Sequence, residues 1–274
     1  MIVSCSLNGQ ILPADKFTIA INDLGLLRGY AIFDFCRTAN GKPFLLPQYL
    51  TRFRNSARLM ELDLDYSDEQ ITEIIYQLLE QSNLPFAGIR LLLTGGYTAD
   101  SFTPAKPNFL ITIEELSLVP AGVVEKGVKL MSYEHQRDMA EIKTTNYTVA
   151  LRLRKKLQQQ NAYDILYYSN GHVLELTRSN FFIVKGNTVI TAATHILKGV
   201  TRQTVLNLAE SQYKVEVREI KLSELAEADE AFLTGTNKKI VPVVQVDDQV
   251  IGNGKPGQVT MNLYKAFLEF ETNY

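Results

Sequence analysis

EIKTTNYTVALRLRKKLQQQNAYDILYYSNGHVLELTRSNFF, running from Glu141 to Phe182, holds two structural patterns in succession. In its first half Val149, Ala150, Leu153 and Leu157 recur at a spacing that puts them on one helical face. Thr144 or Thr145 can cap that helix, which places Lys143 just before its start. In the second half, Asp164–Ser169, the Asn170-Gly171 turn and His172–Glu175 read as a β-hairpin. Taken singly, a lysine usually sits in water because burying an ammonium is costly, and a hairpin glutamate usually sits on the wet face.

Together the two residues suit a specific chemistry. A lysine amine can hold a pyridoxal phosphate aldehyde as a Schiff base. A carboxylate against the pyridine nitrogen keeps that ring protonated and able to accept electrons. The order Lys143-x-x-Asn146-Tyr147, then Glu175-x-x-x-Ser179-Asn180-Phe181-Phe182, resembles the class IV (fold type IV) aminotransferases. That family includes branched-chain aminotransferases, D-amino acid transaminases and aminodeoxychorismate lyases. The resemblance implies that Lys143 is the catalytic residue and carries the cofactor, pyridoxal 5'-phosphate. It also implies that Glu175 pairs with the ring nitrogen, that Tyr147 donates to the 3-hydroxyl oxygen, and that Ser179 and Asn180 belong to the cofactor site.

Upstream, Ile2–Leu7 alternates and Asn8-Gly9 signals a hairpin turn. In IAINDLGLLRGYAIFDFCR (19–37), Gly25 and Gly29 bracket a loop before a strand from Ala31 to Thr38. This resembles the family's pocket region, parts of which reach across a dimer interface. Phe33 falls where relatives have a pocket aromatic, and a core strand aromatic is the alternative. After Pro47, Leu50, Phe53, Ala57 and Met60 form one helical stripe with Arg52 off it. Arg52 in TRFRNSARL matches the family's phosphate-binding arginine, whose planar fork suits phosphate oxygens. Asp68–Ser82 reads as a helix, and GIRLLLTGG and PNFLITIEEL read as strands. Arg90 lies where relatives line the substrate side of the cofactor. Arg28 and Arg90 would together clamp a carboxylate. The R-x-H motif of the established D-amino acid transaminases is replaced here by Arg90-Leu91-Leu92, and LRGYAIFDF with IRLLLTGGY resembles a subgroup that uses an arginine pair.

Downstream, LKGVTRQTVLNLAE puts Gly199 before a helix whose first N–H groups can receive an anion. By resemblance, the backbone of Val200 and Thr201 and the Thr201 hydroxyl contact the cofactor phosphate, Arg202 supports that site, and Gly235-Thr236-Asn237 completes the cup. Gly252 to Thr260 follows the family pattern, and a helix over Tyr264–Phe270 ends the chain.

Composition narrows the alternatives. The chain has 274 residues, 46% of them hydrophobic, enough for a large buried core. A net charge of −2 makes no electrostatic case for nucleic acid or an acidic membrane. Cys5 and Cys36 are far apart, and His135, His172 and His195 share no motif, so no metal site is expected. No signal peptide or membrane-spanning stretch is evident, and a cytoplasmic enzyme is expected. The resemblance implies an α+β, two-domain fold type IV enzyme. A small α+β domain would span residues 1–115, a linker 116–126, and a larger domain of β-barrel character, carrying the cofactor lysine, 127–274. Relatives bind the cofactor between the domains and work as homodimers, with the Arg28 loop reaching the neighbouring site. The implied reaction is transamination between an amino acid, D-configured by preference, and a 2-oxo acid. Branched-chain L-amino acids are the alternative, and aminodeoxychorismate cleavage a weaker one.

Overall fold

Two hydrophobic periods build two compact units in the computed structural model, which describes all residues 1–274. The first unit comprises 1–117, 142–146 and Tyr274; the second comprises 118–141 and 147–273.

The first unit contains β1 (Ile2–Leu7), β2 (Gln10–Pro13), α1 (Leu24–Arg28), β3 (Ala31–Ala39), β4 (Lys42–Pro43), α2 (Leu46–Leu59), α3 (Asp68–Ser82), β5 (Ala87–Thr94) and β6 (Asn108–Glu115). Its strands form an antiparallel sheet in the order β2-β1-β6-β5-β3-β4. Alternation along β3, β5 and β6 sends Ile32, Asp34, Cys36, Ile89, Leu91, Ile111 and Ile113 to one buried face. That face carries the helices: Ser4 Oγ donates to Leu78 O of α3, and Arg52 of α2 reaches Asp34. The predicted stripe of α2 is buried, and α3 presents Ile71, Ile75 and Leu78. A Ser67–Gln70 capping box starts α3. Each fully buried Phe53, Ile71, Ile75 and Leu78 contributes about 1.5–3 kcal/mol. The opposite face leaves Phe33, Phe35, Arg90 and Leu92 half-buried.

Residues 142–146 join this sheet at the free edge of β3. Thr144 bridges Ile32, Phe33 N–H donates to Lys143 O at 2.9 Å, and Thr145 N–H donates to Ala31 O at 3.1 Å. The sequence pattern puts Lys143 at a helix start capped by Thr144 or Thr145, within the C-terminal domain. In the structure the helix begins only at Thr148, and the strand edge claims the backbone of 143–145 instead.

The second unit contains α4 (Ala121–Lys126), β7 (Val128–Glu134), α5 (Thr148–Arg152), α6 (Arg154–Gln159), β8 (Asp164–Ser169), β9 (His172–Leu176), β10 (Asn180–Lys185), β11 (Thr188–Thr191), α7 (Val200–Ala209), β12 (Lys214–Val217), β13 (Ile220–Lys221), β14 (Glu230–Gly235), β15 (Lys239–Val246), β16 (Gln249–Val250) and α8 (Gln258–Thr272). The stretch expected as a linker thus ends in α4, whose Val124 packs into the core. Strands β10-β14-β15-β7-β8-β9 pair in sequence, and the Glu175–Asn180 pairing of β9 with β10 closes the ring into a barrel. Leu130, Leu166, Phe181, Ile183, Leu233 and Val241 fill the same cluster. Of the expected stripe, Val149, Leu153 and Leu157 pack in one cluster with Met131 and Tyr167, and Ala150 lies outside it.

One irregularity matters for function. Leu166 pairs with Leu176 but Tyr168 pairs with Val173, so β9 carries an extra residue there. Val173 and Leu176 both reach the barrel core, while Leu174 packs in a separate cluster with Ala192 and Ile196. Such a bulge re-aims the side chain beside it, here Glu175.

Candidate active site

The lysine region is built on the half-buried face of the first unit. Phe35 pairs with Arg90 and Phe33 with Leu92 across β3 and β5, so these side chains share one face. Lys143 Nζ stands 4.6 Å from the Phe33 ring centroid. The Arg90 guanidinium stands 5.5 Å from the same ring and 5.1 Å from Phe35, and its Nη2 donates to Glu114 Oε1 at 2.6 Å. Three predicted residues, Lys143, Phe33 and Arg90, therefore meet at one aromatic ring. Each cation is attracted by the quadrupole of that ring.

Arg52 lies on the helix side of the same sheet. Its Nε donates to Asp34 Oδ2 at 2.9 Å and its Nη2 to Asp34 Oδ1 at 2.6 Å, a bidentate pair with Asp34 fully buried. One turn along α2, Ser56 Oγ accepts the Lys143 backbone N–H at 3.4 Å. Arg52 thus sits one helical turn from the residue that holds the lysine backbone.

Arg28 does not join Arg90. The segment read as a loop between Gly25 and Gly29 is the short helix α1, capped by Asp23 and closed by left-handed Gly29. Asp23 is buried and accepts from Gly25 N–H, Thr94 Oγ1 and Asn108 Nδ2, which fastens α1 to the ends of β5 and β6. The exposed Arg28 donates through Nε to Ser101 O at 3.1 Å. Asp100, accepting from Phe102 N–H and from Thr103 N–H and Oγ1, shapes the turn that presents this carbonyl. Within one chain the two arginines have different partners.

In the second unit Glu175 is buried, with donors at both oxygens. Arg137 Nε donates to Oε1 at 2.8 Å and Leu197 N–H to Oε2 at 3.0 Å. Arg137 also donates to Ala140 O. Asn180 Nδ2 donates to Leu197 O at 2.7 Å, so the Leu197 residue is gripped by Glu175 on one side and Asn180 on the other. That grip delivers the chain to Gly199 and α7. A side chain at Gly199 would collide with Asn180 Oδ1 unless Asn180 moved from its bond to Leu197 O. Tyr147, half-buried, stands immediately before α5, its carbonyl accepting from Leu151 N–H.

Val200, Thr201 and Arg202 form the buried first turn of α7, where helix N–H groups have no intrahelical acceptor. The Thr236-Asn237 turn joins β14 to β15. Lys238 holds this turn: its Nζ donates to Asp164 Oδ2 at 2.7 Å and to Ser179 Oγ at 2.9 Å. Ser179 is therefore engaged with Lys238. Burial, reinforced by Asp164, pushes the Tyr167 phenol up to about 12, and its ring packs edge-on to His135.

Residues 31–246 match the family Amino-transferase class IV. The chain is 28% identical over 270 residues to the D-alanine aminotransferase of Bacillus licheniformis, covering 94% of each protein. It is 30% identical over 281 residues to the "Putative branched-chain-amino-acid aminotransferase" of Methanocaldococcus jannaschii, covering 98% of this chain and 96% of that one. Its fold superposes with a TM-score of 0.90, at 22% identity, on the branched-chain amino acid aminotransferase from Escherichia coli, covering 100% of this chain and 95% of that one. The chain belongs to the class IV aminotransferases. It is a fold type IV enzyme that exchanges an amino group between an amino acid and a 2-oxo acid, with pyridoxal phosphate as cofactor.

The residues present fit that cofactor. Three buried polar atoms around the α7 turn and β14 lack a hydrogen-bond partner within this aminotransferase: Arg202 Nε, Thr234 Oγ1 and Asn237 Oδ1. Buried groups of this kind call for a partner, and the polar atoms of the cofactor can supply one. Sequence reading missed Asp34, Arg137, Asp164 and Lys238. Asp34 was detectable, because strand alternation puts it on the buried face, where a carboxylate needs a cation. Arg137 and Lys238 lie in irregular segments that carry no periodic signal.

Proposed function

We propose that this aminotransferase holds its cofactor covalently through Lys143 and acts on D-amino acids. The observation that supports Lys143 is its convergence with Phe33 and Arg90 on one sheet face, while the D preference rests on the resemblance to the arginine-pair subgroup and on the similarity to D-alanine aminotransferases. The cofactor, when bound, supplies the electron sink for the carbanion at the substrate α-carbon. The lysine amine would move the proton from that carbon. Glu175, fixed by Arg137 and the Leu197 N–H, keeps the ring nitrogen protonated. Tyr147 donates to the ring hydroxyl oxygen. The first turn of α7, Thr201, Thr236, Asn237 and Arg52 hold the phosphate, with Ser179 and Asn180 shaping the cup.

Arg90 accounts for substrate carboxylate recognition beside Phe33. Arg28 completes the clamp from a second copy of the chain in a homodimer. Its exposure supports this, as do the exposed apolar Ile21, Leu26 and Phe102 around it, which a dimer would cover. The free, buried thiols of Cys5 and Cys36 agree with a cytoplasmic enzyme. The branched-chain reading draws on a different observation. Glu114 already neutralises Arg90, and Phe33, Phe35 and Leu92 leave that face mostly apolar.

A half-reaction panel with D- and L-amino acids, following cofactor absorbance, separates the two readings. D-alanine or D-glutamate is expected to react fastest, and faster reaction of L-leucine or L-isoleucine overturns the D assignment. Arg90→Leu and Arg28→Leu should each raise the half-saturation for D-substrates, at about 1.5–3 kcal/mol per charged hydrogen bond. Lys143→Ala should abolish the borohydride-reducible cofactor link, and a surviving link rejects Lys143.

A further inference from the structure

Arg202 is 5% exposed, yet it forms no ion pair. Its Nη2 donates to Ala192 O at 3.0 Å, and its buried Nε has no partner. Burial alone pushes its pKa down, with no carboxylate to oppose the shift. Its place in the helix compounds the cost. It is the third residue of the ten-residue α7, at the end where the backbone dipole is positive and a cation is disfavoured. The cradle at Gly199 lies against it: an added Cβ there would stand 3.4 Å from Arg202 Cβ. Two other arginines with largely buried side chains have carboxylates, Arg52 with Asp34 and Arg137 with Glu175. A buried guanidinium without one calls for an anion from outside the chain.

We infer that Arg202 is the electrostatic partner of the cofactor phosphate, a charge left uncompensated by the protein and neutralised when the phosphate seats at the α7 N-terminus. This rests on the proposed phosphate site, and it goes further by assigning a stability cost to the cofactor-free chain. The cation neutralises the dianion through space, so no direct contact is required, and the Ala192 carbonyl holds the side chain in place.

The test compares wild type and Arg202→Met in the full-length chain, as holoenzyme and after cofactor removal. Pyridoxal phosphate affinity should fall about tenfold to a hundredfold in the Met variant. Affinity for pyridoxal, which lacks the phosphate, should not change. The thermal midpoint of the cofactor-free chain should stay level or rise, because a buried unpaired charge has gone. Equal losses for the two ligands, or no loss for either, overturn the inference. A less stable cofactor-free chain with unchanged pyridoxal phosphate affinity also overturns it, and leaves Arg202 as a tie to Ala192. If the Met variant does not fold, Arg202→Lys and Arg202→Gln decide. The phosphate preference should survive in Lys, which keeps the charge, and be lost in Gln, which keeps only a donor for Ala192. Retention in both sinks the idea. Thr201→Val separates the underlying reading: unchanged pyridoxal phosphate affinity there moves the phosphate site elsewhere, and the role of Arg202 falls with it. Loss in Thr201→Val without loss in Arg202→Met rejects Arg202 alone.

Discussion

Arg52 and Arg202 are both largely buried helical arginines, and they meet the cost of burial differently. Arg52 has a carboxylate within the chain: Asp34 accepts two hydrogen bonds from its fork, and the guanidinium lies 5.2 Å from the Tyr49 ring. Arg202 has one carbonyl. The first guanidinium gains its counter-charge when the chain folds, whereas in the proposed reading the second gains one only with a ligand. Arg137 falls between them, since its carboxylate partner Glu175 has a second task in the proposed chemistry. Burial of an arginine thus says little about its role until its counter-charge is known.

The largest effect should come from breaking the self-contained pair. Asp34→Ala leaves the Arg52 guanidinium buried without its carboxylate, and breaking such a pair costs about 3–5 kcal/mol. Urea unfolding of the holoenzyme should show this as a lowered midpoint with an unchanged slope. A midpoint within error of wild type would mean that Asp34 is dispensable and that Arg52 finds another anion.

Glu175→Gln sharpens the intermediate case. The amide keeps only one oxygen, so either Arg137 Nε–H or the Leu197 N–H then faces an NH2 group and folding is weakened as well, while in the proposed chemistry the ring nitrogen loses its anionic partner. One electrostatic contact of this kind is worth about 3 kcal/mol, or about a hundredfold in the half-reaction rate. A rate equal to wild type would place the acid elsewhere.

Glu224 extends the comparison toward the surface and predicts the smallest effect. Arg218 chiefly, with the Lys221 N–H and Lys185, pulls its carboxyl down from 4.5 to about 2 against desolvation. A depressed carboxylate stabilises the fold above its unfolded pKa, and that stability is lost as pH falls through the folded one. Glu224→Gln should therefore lower stability near neutral pH by up to about 1.5–3 kcal/mol. The gap from wild type should narrow below pH 4.5 and close near pH 2. A gap that is constant with pH would show that the ion pairs contribute nothing.

Much of this molecule was determined locally. The α3 helix from Asp68 to Ser82, the Asn8-Gly9 and Asn170-Gly171 hairpins, the α2 stripe and the stop at Gly199 before α7 follow from period, capping and turn chemistry, all of which act within a few residues. The family motifs around Lys143 and Glu175 were legible for the same reason, as short strings of fixed spacing. Tertiary structure decided what depends on distant neighbours. The edge of β3 took the Lys143 backbone from the expected helix start, because unpaired strand groups are strong partners for a passing chain. An extra residue in β9 turned Glu175 away from the barrel core, a shift that no alternation pattern in one strand can encode. The counter-charges of Arg52, Arg90, Arg137 and Lys238 come from residues 18, 24, 38 and 74 positions away, and only folding brings such charges into contact. Arg202 is the converse: its position at the helix start was plain in LKGVTRQ, but its lack of a counter-charge became visible only once every neighbour was in place.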